Sequence, residues 1–148
     1  MSSNSIHFFS EDAPYVVKQK KILRNWLLSV VENEQYALEE LNFILCSDEY
    51  LLGLNQQYLD HDTYTDVITF DNSELTKTVA GDIFISIHRV KENAIIQKVK
   101  VTEELTRIMV HGTLHLLGYK DKTKADKLKM TFKEDDYLQH LRERLNAL

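Results

Sequence analysis

His111 and His115 are the residues of this chain whose types and spacing speak most directly of chemistry. Four apart on a helix, they project from one face, because 3.6 residues complete a turn. Gly118 follows as a helix stop, since a residue without a Cβ takes the left-handed conformation that reverses a chain. The reversal can return Asp121 to the histidine face. Two imidazoles and a carboxylate make a three-ligand set for one catalytic zinc ion, with the fourth position open to water. His111, His115 and Asp121 are therefore expected as both metal ligands and catalytic residues, in a zincin-like metal helix.

The surroundings strengthen that reading. Leu105, Ile108, Met109, Val110, Leu114, Leu116 and Leu117 make the segment apolar on most sides, which implies burial. Imidazoles in such a helix cost free energy unless both ring nitrogens find partners. A metal on one nitrogen and an acceptor on the other would satisfy them. Zinc peptidases of the His-Glu-x-x-His type carry a glutamate next to the first histidine as general base. Here Gly112 takes that position, which argues against a peptidase. The chain reads as a metal-dependent hydrolase of another kind.

The elements that must position these residues follow from periodicity and turn signals. Ile6 to Phe9 is a strand candidate, and Pro14 opens a helix carrying Val17, Ile22, Leu23, Trp26, Leu27 and Val30. Leu41 to Cys46 reads as a strand. Ser47 then caps a helix running to about Tyr58, with Leu51, Leu52 and Leu54 inward. A polar loop over 60–66 precedes two strands, Val67 to Phe70 and Val79 to Ile87. A helix through Ala94 and Ile95, the metal helix from Thr102, and a last helix from Thr123 complete the chain. The expected fold is α+β: residues 1–148 as a single domain, a small mixed sheet of about four strands packed with about five helices. In the loops, Asp62, Asp66 and Asp82 are companions for the metal ligands or simply turn formers. His7, His88 and His140 read as surface histidines.

Composition and charge narrow the class. The chain has 148 residues, 43% hydrophobic and 28% charged, enough to bury a proper core in one soluble domain. Its one cysteine, Cys46, sits in an apolar run and reads as a buried thiol. No basic start precedes an apolar stretch, and no apolar run is long enough to cross a bilayer, so a cytoplasmic location without membrane contact is expected. The net charge of −5 argues on its own against nucleic acid, but its distribution does not. Residues 1–85 hold 5 basic against 14 acidic side chains, whereas residues 86–148 hold 13 against 9. Lys120, Lys122 and Lys124 flank Asp121, either as a patch for phosphates or as a solvated loop.

The run from His111 to Asp121 resembles the signature of the YbeY family of bacterial endoribonucleases, His-Gly-x-Leu-His-Leu-x-Gly-Tyr-Asp-His. His111, Gly112, Leu114, His115, Leu116, Gly118 and Tyr119 match it. Further blocks agree in order: Leu54-Asn55 with Tyr58; Asp62, Thr65-Asp66-Val67 and Phe70; Gly81-Asp82-Ile83 with Ser86; Met130 with Glu134. Asp121 stands where the family has its third histidine, Lys120 at its aspartate, Leu59 at its arginine after the tyrosine, His61 at the lysine two further on, and Tyr64 at its proline. The resemblance implies a zinc-dependent endoribonuclease specific for single-stranded RNA. It implies a role in ribosomal RNA maturation, particularly of the small subunit, with ribosome or ribosomal proteins as partners. His61, Lys120, Lys122 and Lys124 are the expected RNA contacts. A ribosome-assembly factor that binds RNA with little cutting is the alternative, and a metallopeptidase ranks below both.

Overall fold

A strand alternates its side chains between two faces, and this chain uses both faces unequally. The computed structural model describes residues 5–59 and 63–148. Four strands form one sheet in the order β1-β2-β4-β3, comprising β1 (Ile6–Ser10), β2 (Ala37–Cys46), β3 (Val67–Asp71) and β4 (Thr78–Ser86). β1 and β4 run parallel to β2, and β3 closes the other edge antiparallel to β4. On one face Leu41, Phe43 and Leu45 align with Gly81, Ile83 and Ile85, and all six are buried. That face carries the main core, with Trp26 and Leu27 of α1 (Lys20–Asn33) and Met109 of α4 (Val101–Leu116). The opposite face holds a smaller cluster of Cys46, Leu51 and Ile68 beneath α2 (Asp48–Tyr58). The helices α3 (Ile87–Gln97) and α5 (Lys124–Asn146) complete a single small α+β domain, with five helices and a four-stranded mixed sheet among the described residues.

Local sequence explains most boundaries. Ser47 and Ser86 accept the backbone N–H groups of Tyr50 and Arg89, capping α2 and α3. Thr123 and Asp126 form a reciprocal capping box at the start of α5. Cys46 is buried, and burial, with the charges of Asp12, Glu11 and Asp48, pushes its thiol up to about 12. Among the described residues no helix is long and apolar enough to cross a membrane.

Three boundaries differ from expectation. Helix α1 begins at Lys20 rather than Pro14, after Gln19 in a left-handed conformation with φ of 58°. Ala13 and Val17 are buried from a non-helical segment, so their apolar pattern reports packing and not helix. Strand β2 starts at Ala37, four residues before Leu41, because a register irregularity between Leu38 and Glu40 breaks the alternation that marks a strand. Ile87 is the first residue of α3 rather than the end of β4, and in α2 Leu51 is buried with Asn55 while Leu52 and Leu54 are only partly so.

Helix α4 lies directly on the sheet, and glycine permits it. A Cβ on Gly112 would fall 2.8 Å from Ile83 Cγ2, and one on Gly81 would fall 2.7 Å from the Phe70 carbonyl and 2.8 Å from Leu116 Cδ1. Gly112→Ala is therefore expected to lower stability. Overpacking of this kind costs about 1–3 kcal/mol, and the helix-propensity gain of alanine offsets at most about 1 kcal/mol of it. Urea denaturation measures the difference, and a variant more stable than the parent would contradict this packing.

Candidate metal centre

Helix α4 presents His111 and His115 on one half-buried face. Its end is a Schellman reversal: the Tyr119 N–H donates to the Leu114 carbonyl at 3.0 Å, the Gly118 N–H donates to the His115 carbonyl at 3.0 Å, and Gly118 has φ of 97°. The reversal aims the Tyr119 carbonyl back at the helix, where it accepts a hydrogen bond from His115 Nδ1 at 2.9 Å. A carbonyl can only accept, so the proton of His115 sits on Nδ1. His111 Nδ1 donates to Glu134 Oε2 of α5 at 2.6 Å. Both Nε2 atoms are thus left as acceptors, and they face each other across 3.0 Å. Asp121 Oδ2 lies 3.8 Å from His111 Nε2, and the three ligand atoms fall within 4.8 Å of one another. Two ligands in tetrahedral contact with zinc are separated by about 3.3 Å. Two ring nitrogens converging beside a carboxylate at these separations form a group that could hold a metal ion.

The electrostatics agree. Burial pulls the His111 pKa down most strongly, but the hydrogen bond and charge of Glu134, with the charges of Asp121 and Asp66, together leave it raised. His115 is lowered, first by burial and then by the like charge of His111. The acids around His111 thus favour positive charge at this position, and His115 disfavours a second one beside it. Arg107 Nη1 binds Glu134 Oε1 at 2.9 Å and Nη2 binds Asp135 at 2.7 Å, which fixes the glutamate from its far side.

Residues 6–142 match the family described as Endoribonuclease YbeY. The chain belongs to this family. It is 53% identical to Endoribonuclease YbeY of Cytophaga hutchinsonii over 91% of this chain and 94% of that protein. It is 50% identical to Endoribonuclease YbeY of Flavobacterium psychrophilum over 88% and 92%. A solution structure of a Thermotoga maritima protein shares the fold, with a TM-score of 0.67, 29% identity, and coverage of 96% of this chain and 92% of that one.

Within this YbeY domain the other expected residues scatter. Asp66 is near enough for its charge to act on His111. Asp82, one residue from Gly81 and Ile83, points to the opposite face of the sheet, where it accepts from Asn42 at 3.0 Å and Asn72 at 3.2 Å. His61 and Asp62 lie outside the described residues. Leu59 is exposed at the end of α2, and the Tyr64 hydroxyl donates to Glu49 at 3.1 Å. All three lysines, Lys120, Lys122 and Lys124, are exposed, and of them Lys120 lines a recess behind the Gly118 turn.

In the sequence Glu134 stands out only as half of Met130-x-x-x-Glu134, a spacing that assigns it no role. Its signal was an acid on the buried stripe of α5, with Met130, Tyr137, Leu138 and Leu141. Glu34 gave no signal. At the end of α1 it accepts the Tyr119 hydroxyl at 2.6 Å, the Lys133 ammonium at 3.1 Å and the Tyr137 hydroxyl, and so fixes the residue whose carbonyl orients His115.

Proposed function

We propose that this chain is a zinc-dependent, single-strand-specific endoribonuclease of ribosomal RNA maturation, working in the cytoplasm on small-subunit precursor and in contact with the ribosome. The observation that carries the proposal is the pair of imidazole Nε2 atoms converging beside Asp121 in a member of the YbeY family. His111, His115 and Asp121 would hold the ion. Zinc supplies Lewis-acid stabilisation of the charge that builds on a phosphate under attack, and lowers the pKa of water. The protein's own groups do the rest. Glu134 and the Tyr119 carbonyl keep the ligand protons on Nδ1, so that both Nε2 atoms stay available. Asp66 adds negative charge on the His111 side.

A peptidase fits poorly. Gly112 is turned toward Ile83 in the sheet, so even a glutamate at this position would meet the core before it met substrate. The exposed Leu59, without charge where the family has arginine, favours the second reading, an RNA-binding factor with little cutting.

Zinc-loaded protein is expected to cut labelled single-stranded RNA slowly, duplex RNA hardly, and casein not at all. Unpaired strands can bend into the site and stack bases on aromatic side chains. RNA bound but never cut would establish the second reading. Casein cleavage that disappears in His115→Ala would overturn both.

A further inference from the structure

Behind the Gly118 reversal lies a recess of about 320 Å³ that the metal chemistry leaves unused. Its lining includes Tyr36, Lys77, Gly118, Tyr119, Lys120 and Lys129. The three lysines come from separate parts of the chain: the turn before β4, the metal turn and the first third of α5. Among the described residues none of them enters an ion pair. Two ammonium groups are held by aromatic faces instead, Lys77 4.6 Å from the Tyr36 ring centre and Lys129 5.5 Å from that of Tyr119.

Two carboxylates also line it, each held by hydrogen bonds. Glu34 accepts from Tyr119, Tyr137 and Lys133, and Asp126 accepts the Thr123 N–H in the capping box. The Tyr36 hydroxyl, against Gly118, makes no hydrogen bond among the described residues. The recess therefore gathers three lysines that make no ion pair among the described residues, Lys120 acting on Asp126 only through its charge, and a hydroxyl donor around one small volume. That chemistry recognises a phosphate.

The wall between recess and metal centre is one stretch of backbone. Tyr119 turns its carbonyl toward His115 and its ring toward the recess, and Lys120 precedes Asp121. We infer that the recess binds a phosphate of the RNA strand neighbouring the one at the metal, through Lys77, Lys120 and Lys129. This rests on the endoribonuclease reading and makes the recess a positioning site for the same substrate. Ammonium groups act here as point charges, so the site grips backbone without reading sequence.

The test compares zinc-loaded parent with K77Q/K120Q/K129Q and with K20Q/K21Q/K91Q, which removes equal charge from elsewhere. Anisotropy of labelled single-stranded RNA is followed against salt, within the interval in which gels show the strand intact. Each lost phosphate contact on a single strand flattens the slope of log affinity against log salt by roughly 0.7. One shared phosphate flattens it by that amount in the recess variant and leaves the comparison variant at the parent slope, with zinc content equal in all three. Equal slopes for recess and comparison variants would overturn the inference while leaving the endoribonuclease reading intact. A parent that binds no RNA would overturn that reading itself. Loss of inorganic phosphate binding with an unchanged RNA slope would assign the recess to a free anion and overturn the inference too.

Discussion

Asp121→Ala is expected to lose zinc about 100-fold more readily than the parent, and Asp121→His to hold it as tightly or more tightly. Zinc bound by four ligands gains about 10–16 kcal/mol, so one ligand of the set accounts for about 3 kcal/mol, or roughly 100-fold. The Asp121 side chain is 36% exposed and follows the turn rather than sitting in a helix or strand, so its removal should leave the fold alone. That separates ligand loss from unfolding. A third imidazole could reach the same corner from the same backbone, and it would raise the positive charge left on the centre. Competition with a chelator measures the constants. An alanine variant that holds zinc as well as the parent would show that the carboxylate is not a ligand.

Glu134→Gln is expected to cost about 10–100-fold in zinc affinity although Glu134 touches no metal position, since groups that orient a ligand carry effects of this size. The amide can still accept from His111 Nδ1 but no longer offers the charge. A pH series distinguishes this from general damage. The folded, metal-free His111 has a raised pKa, so it keeps its proton to higher pH than an ordinary imidazole. Zinc must displace that proton, and its apparent affinity therefore falls as pH drops through a window above the usual imidazole range. Without the Glu134 charge the window should move to lower pH, while the affinity at alkaline pH declines. A uniform drop at every pH, with the window unmoved, would show only structural damage.

What could be read from the sequence followed from how local each signal is. The spacing of His111 and His115, the Gly118 stop and the position of Asp121 all lie within one turn-and-a-half of helix and its exit, so residue identity alone determined their geometry. The caps at Ser47 and Thr123 are likewise written into neighbouring residues. Glu134 and Glu34 are 23 and 77 residues from His111 in the chain, and only the packing of α5 and α1 against the metal turn brings them in. Their roles could not be derived from periodicity. The start of β2 was hidden for another reason: its irregular register around Leu38 and Glu40 removes the alternation on which strand recognition depends. Gly112 had a double meaning. Its missing side chain signals the absence of a neighbouring base, and in the folded protein that same absence lets the helix rest on Ile83.

The most direct measurement is metal analysis of the purified protein coupled to cleavage of labelled single-stranded RNA by parent, stripped parent and His115→Ala. The expected result is one zinc ion per chain in the parent, slow cutting that stops on stripping and returns with zinc, and neither zinc nor cutting in the variant. Cutting that survives in the stripped parent and in His115→Ala would place the chemistry away from His111, His115 and Asp121 and contradict the account.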